Sequence, residues 1–389
     1  MNIKKLGLLP WILLAIVLGV ICGRWFPPPL VRAMATFNGI FSNFLQFLIP
    51  LIIVGLVTPA IADIRKGAGR LLLITVVIAY ADTVFSGLLS YGVSSSLFPH
   101  LITPQKLSAE QFGAAAETIP FFTIAIPPML DVMSALIFSF IAGLGIATFN
   151  ASTLRAAFGE FKNIISGTIQ KVLLPLLPIY IFGIFLGMTH SGQAGHVISV
   201  FLTIILVIFA LHVFLLVLQY CIAGSIAGRN PFKALWNMLP AYLTALGTSS
   251  SAATIPVTYE AAQKNGVSPE TAGFVVPLCA TIHLSGSMLK ITACAVALML
   301  MQGMPVSFGP FLGFILMLGV MMVAAPGVPG GAIMAALGVL STMLGFSDQD
   351  QALMIALYIT MDNFGTACNV TGDGAIALVI DKLFHKKNG

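Results

Sequence analysis

Long apolar runs alternate with short polar segments along the whole chain. Runs long enough to cross a bilayer as helices, at about 20 residues each, lie at 7–23, 37–60, 71–98, 130–149, 165–189 and 197–224. The pattern then changes. Residues 235–264 and 310–345 are apolar but broken by TSSSAATIP and APGVPGGA, and each is followed by another long run, 271–302 and 350–383. Irregular backbone at membrane depth is tolerated only where it lines a cavity or is buried in protein. Gly/Pro-interrupted segments in paired positions point to a midplane binding site between inverted repeats. The pattern predicts an all-α membrane protein with eight transmembrane helices and two re-entrant helical hairpins. Two helices merely kinked at Pro256 and Pro329 would explain the prolines but not three consecutive serines or the GVPGG tip.

Composition sharpens this picture. The 389 residues are 58% hydrophobic and only 8% charged, against about 25% charged in a soluble domain. The net charge of +5 reads as topology, not as nucleic-acid binding. If the hairpins do not cross, Lys4, Lys5, Arg65, Lys66, Arg70, Arg155, Lys162, Arg229, Lys233, Lys382, Lys386 and Lys387 share one side. Lys171 and Lys264 fit that side too; Arg24, Arg32 and Lys106 fall opposite, and Lys290 lies within a span. Both termini are then cytoplasmic, in a cell membrane. One crossing per broken segment would give ten spans with the same terminal orientation. The basic, apolar N-terminus lacks an A-x-A cleavage site and reads as a retained first span rather than a signal peptide. The five cysteines show neither CxxC nor zinc spacing. The polar segment 100–128 reads as an external loop, and His190 and His196 bracket a short external turn.

The last run carries the chemistry. Asp362, Thr366, Asn369 and Asp373 recur at i, i+4, i+7 and i+11, so on a helix of about 100° per residue they share one face, with Gly365 beside it. Ionisable groups inside a membrane usually face the bundle interior and mark substrate or ion pathways. A pair of protonated, hydrogen-bonded structural aspartates is the blander alternative.

Residues 361–373 resemble the last-helix motif D-x-x-R-T-x-x-N-V-x-G-D of the glutamate transporter family, the dicarboxylate/amino acid:cation symporters. SSSAATIPVT (249–258) resembles that family's first hairpin, PGVPGGAIM (326–334) its second hairpin tip, and PLCATIHLSGS (277–287) its P-L-G-A-T-I-N-M-D-G-T segment. The resemblance implies a homotrimer of elevator-type carriers. The scaffold would be approximately 1–70 and 130–225, and the mobile transport domain approximately 71–98 and 235–383, with the third and sixth spans at the boundary. It implies that Asp362 binds a substrate amino group. Asn369 and the backbone around Ser249, Ser250 and Ser251 would hold the α-carboxylate beside Thr366, and the tip around Val328, Pro329 and Gly330 would close over it. Asp373, with Asn369, would serve a cation, tentatively Na+; no other cofactor is implied.

Three departures modify those expectations. The arginine that grips a substrate's side-chain carboxylate is Gly365 here, and the alternative position is Ser249. A small neutral amino acid is therefore expected over a dicarboxylate or acidic amino acid, with Gly365 leaving room for a side chain. The aspartate serving a second cation is Ser285, while Asp82, next to Thr83, enters the third span. A carboxylate has thus moved from one wall of a cation site to another. Finally, Lys290 lies deep in an apolar run, where it is expected to pair with Asp82 or Asp373, as a tethered cation. Alternatively His283 or Lys290 titrates and transport is proton-coupled. On an unbroken helix, His283, Ser287 and Lys290 would share a face. The expected function is a secondary active importer coupled to Na+ or H+. No G-x-S-x-G elbow supports an intramembrane hydrolase, and an anion channel is the other alternative.

Overall fold

The computed structural model describes residues 8–63, 69–102, 120–190, 192, 194–325 and 329–385, and among them the regular structure is helical throughout. Helices α1 (Leu8–Gly23), α2 (Pro28–Asp63) and α3 (Gly69–Leu101) open the chain. They are followed by α4 (Val132–Phe149), α5 (Ser152–Thr168), α6 (Leu174–His190) and α7 (Ala194–Ala227). Among the described residues six stretches are long and apolar enough to cross a membrane: Pro28–Ala62, Arg70–Leu101, Val132–Phe149, Ser152–His190, Val197–Ala227 and Pro269–Met301. Two of them, Pro28–Ala62 and Ser152–His190, begin well before the apolar runs at 37–60 and 165–189. The run at 165–189 is continuous with α5 through a π-helical turn at Ile169–Leu173. Pro175, just beyond, has no N–H to donate back into that turn, which favours the wider winding.

The first broken segment folds as a helical hairpin. Short α8 (Pro231–Asn237) leads into α9 (Leu239–Thr248), which turns at Ser249 and Ser250 into α10 (Ser251–Lys264). Ser249 adopts a left-handed backbone, φ 52, which is strained for a residue with a side chain. Ser250 caps α10, accepting a hydrogen bond from the Ala253 N–H at 3.3 Å. The next run divides into α11 (Pro269–Ile282) and α12 (Ser285–Met301), with His283 extended and Leu284 non-helical between them.

The second hairpin pairs α13 (Phe308–Ala324) with α14 (Gly331–Leu344). Val328, expected at its tip, lies outside the described residues; Pro329 and Gly330 close the turn, Gly330 at φ 73. The last run divides at Met361 into α15 (Asp348–Thr360) and α16 (Asp362–His385).

Two buried apolar clusters hold these elements. One joins the long helices, α12, the second hairpin and α15. The other packs α9, α10 and α11 against α16 through Ala241, Ala245, Ala261, Ala272, Ala367 and Ala377. Small residues let helix backbones approach closely, which is how helices associate where both lipid and protein are apolar. Serines of α3 stitch it to α12: Ser86 donates to Ser285 O at 2.9 Å and Ser90 to Leu289 O at 2.7 Å. Both hairpin tips and both helix breaks therefore converge on the N-terminal half of α16.

Candidate functional site

A cavity of about 30 Å³ lies where these four interruptions meet. Its polar lining comes from Ser249 and Ser251 of the first hairpin, Thr281 and Ser287 flanking the α11–α12 break, Tyr358 of α15, and Asp362, Thr366 and Asn369 of α16. That volume holds a water or two, so an amino acid enters only if a wall moves. The second hairpin is tied to the carboxylate of the lining: the Gly330 N–H donates to Asp362 Oδ2 at 2.8 Å.

Three residues of the predicted stripe share this cavity, as the helical spacing required. Asn369 is also structural, because its Oδ1 accepts from the Gly286 N–H at 2.8 Å and the Ser287 N–H at 3.3 Å. Those are orphan donors at the start of α12, whose own cap position, Leu284, supplies no side-chain bond. Ser249 donates to Asn363 Oδ1 at 2.5 Å. Asn363 faces the hairpin tip, a role with no signal in the sequence beyond its place beside Asp362.

Asp373 turns away from the cavity. Its Oδ1 lies 2.8 Å from His283 Nδ1, and the other ring nitrogen, Nε2, lies 2.8 Å from Asp82 Oδ2. His283 can bridge because it sits in the extended break rather than on α12. Gln219 of α7 completes the group, donating to Asp82 Oδ2 at 2.6 Å and to Ser285 Oγ at 3.3 Å. The Asp82 side chain is 21% exposed, whereas those of His283 and Asp373 are buried. Thr83 is not part of this group; its hydroxyl donates to Ala79 O of its own helix. Gln219 was missed in the sequence, although a polar residue inside the run 197–224 was itself the available signal.

Lys290 corrects one expectation. It reaches neither Asp82 nor Asp373: its Nζ lies 3.4 Å from Asp362 Oδ1 and donates to Met361 O at 3.2 Å. The ammonium also stands 3.6 Å over the Tyr358 ring, a favourable cation–π position. The helix break explains the change, since His283 no longer shares a face with Lys290. Gly365 is corrected too. It does not leave room for a ligand's side chain, because a Cβ there would fall 2.5 Å from Lys290 Nζ. Gly372 makes similar room for the second basic group: a Cβ would fall 2.9 Å from His283 Cε1. Gly372→Ala is expected to destabilise the protein by about 1–3 kcal/mol, the usual cost of overpacking. An unchanged melting temperature in detergent would contradict that packing.

Membrane-crossing helices, two hairpins and a small cavity with a carboxylate, an amide and hydroxyls at the broken helices define a multi-pass membrane carrier. The chain belongs to the sodium:dicarboxylate symporter family, whose model matches residues 8–383. It is a transporter and not an enzyme. It is 25% identical over 394 residues to the serine/threonine transporter SstT of Acinetobacter baumannii (strain AYE), covering 97% of both chains. It is 29% identical over 266 residues to excitatory amino acid transporter 3 of Mus musculus, covering 66% of this chain and 50% of that one.

The family's name raises sodium, which needs several converging oxygens. Two of the side-chain oxygens expected to supply them already have partners. Asn369 Oδ1 is committed to two backbone N–H groups, and Asp373 Oδ1 to His283. His283 presents a different nitrogen to each carboxylate, so the three side chains do not converge on a point. Among the described residues no group of three or more His, Cys, Asp or Glu is placed to hold a metal ion.

Proposed function

We propose that this protein imports a small neutral amino acid across the cell membrane together with protons, by an elevator motion within a homotrimer, both termini being cytoplasmic. The observation that carries the coupling ion is the bridge from Asp82 through His283 to Asp373. A neutral imidazole has one N–H and one acceptor nitrogen. Two carboxylates at 2.8 Å from its two nitrogens need a second proton, either on the ring or on a carboxyl group. The cluster is thus a place where protons are held or released. Asp82, the partly exposed member, is where they would enter or leave. Tyr220, Cys279 and Cys368 are the other ionisable groups within reach of Asp373's charge; Tyr220 donates to Thr371 O at 2.9 Å.

Coupling to the cavity runs through the α11–α12 break. His283 is followed by Leu284 and then by Ser287, both of which line the cavity. Protonation that moves His283 therefore moves the cavity wall. Asp362 is the charged group of the lining, and it suits a substrate ammonium. Hydroxyls of Ser249, Ser251, Thr281, Ser287, Tyr358 and Thr366 make up most of the remaining polar surface. Lys290 does not line the cavity, so no cation faces a second carboxylate, which favours a neutral amino acid over a dicarboxylate. The name of the Acinetobacter baumannii relative, a serine/threonine transporter, agrees with this; that of the mouse relative, an excitatory amino acid transporter, speaks for an amino acid only.

The mobile unit would comprise the two hairpins with α11, α12, α15 and α16. The third and sixth spans, α3 and α7, are assigned to it because Asp82, Ser86, Gln219 and His212 bond directly to the cluster or to the start of α12. The scaffold would meet it through Gln46 of α2 and Tyr180 of α6. Gln46 donates to Asp348 Oδ1 at 2.5 Å, and Tyr180 donates to Asp348 O at 3.3 Å.

Melting of the purified protein against a ligand panel tests the substrate class. L-Serine, L-threonine and L-alanine are expected to raise the melting temperature equally in sodium and in choline. L-Glutamate, L-aspartate and succinate are expected to have no effect. Stabilisation by the dicarboxylates alone would contradict the neutral substrate, and a requirement for sodium would contradict the proton.

A further inference from the structure

Lys290 is a fully buried ammonium that neither the proton cluster nor the cavity lining uses. It touches Asp362 at Oδ1, while Oδ2 carries the hairpin contact from Gly330. Its other partners, Met361 O and the face of Tyr358, belong to the α15–α16 break and to α15. The ammonium is therefore fixed to the same rigid group as Asp362, and no exposed route lets it leave.

The charge balance has a consequence for the transport cycle. An amino acid zwitterion adds no net charge. With Lys290 present, the Asp362 site is neutral with the substrate in place and neutral without it. Without Lys290 the net charge would be −1 in both states, but with cargo the substrate ammonium pairs with Asp362 and the substrate carboxylate meets the cavity hydroxyls, whereas on the empty return Asp362 has no cation beside it, and an isolated charge at that depth is costly. We propose that Lys290 is a built-in counter-ion for the return step. The carrier then resets without an exported metal cation and without exchanging one amino acid for another. This inference rests on the reading of Asp362 as the ammonium site. It also separates the two basic groups: His283 governs proton coupling, and Lys290 governs resetting.

Proteoliposomes test it with L-serine as the probe. Two fluxes are compared, net uptake into vesicles without internal amino acid and exchange into vesicles preloaded with L-serine. For the wild type, net uptake with only internal N-methylglucamine is expected to be within about twofold of that with internal potassium or sodium. In K290Q, which keeps length and removes charge, net uptake is expected to fall by about tenfold or more, equivalent to at least 1.36 kcal/mol on the barrier. Exchange should stay within about fivefold of the wild type, a smaller barrier change, and also shows that the variant is folded. A wild-type requirement for internal potassium or sodium would overturn the proposal, as would a parallel loss of both fluxes in folded K290Q. If K290Q does not fold, the wild-type comparison alone decides. No L-serine uptake by the wild type would instead count against the amino acid reading. The same comparison with succinate would then decide the role of Lys290.

Discussion

Asp362→Asn is expected to abolish amino acid uptake and to remove the stabilisation that substrate gives. The carboxylate has two duties: Oδ2 accepts from the Gly330 N–H at 2.8 Å and Oδ1 faces the Lys290 ammonium at 3.4 Å. Asparagine retains one acceptor. If it keeps the hairpin contact, its NH2 group points at Lys290, donor against donor. Breaking one side of a buried ion pair costs about 3–5 kcal/mol, because the remaining charge is uncompensated. Losing a buried charged contact to a ligand costs about 2–5 kcal/mol, or roughly 30-fold to several thousandfold in affinity. The variant should melt at a lower temperature and show no shift with L-serine. A wild-type serine response would show that the ammonium binds elsewhere. K290Q/D362N should recover part of the lost stability, since no unpaired charge is left.

His283→Gln is expected to stop accumulation driven by a pH gradient. Glutamine presents one NH2 group and reaches one of the two carboxylates, so Asp82 and Asp373 lose their shared proton carrier. Each uncompensated carboxylate at membrane depth costs about 2.5–3.5 kcal/mol on an insertion scale, enough to slow crossing about a hundredfold. D82N/H283Q/D373N removes that charge as well. It should regain downhill serine exchange with no response to pH. Accumulation by His283→Gln at the wild-type level would contradict the role given to the bridge.

Much of this site was legible in the sequence, because helical spacing alone put Asp362, Thr366 and Asn369 on one face. The two broken segments announced hairpins through their serines and glycines, where backbone at membrane depth has to line a cavity. Asp82, His283 and Lys290 each stood out as an ionisable group in an apolar run, but not their pairing. His283 is 201 residues from Asp82 and 90 from Asp373 in sequence. No local period links such positions. The pairing also depended on two residues leaving the helix, His283 and Leu284. That freed His283 to turn towards Asp373 and left Lys290 to Asp362. Gly365 misled for a related reason: the absence of a side chain was read as room for a ligand, when a lysine from α12 fills it. Gln219, Tyr358 and Asn363 were missed because single uncharged polar residues do not set a period.

The most direct test of proton coupling is L-serine accumulation in proteoliposomes under two gradients, each applied alone. One is an inward proton gradient in sodium-free choline; the other is an inward sodium gradient at equal pH on both sides. The Asp82–His283–Asp373 bridge predicts accumulation under the proton gradient and none under the sodium gradient. Accumulation under sodium alone would contradict the proposal and return Asp373 and Asn369 to the role of cation ligands.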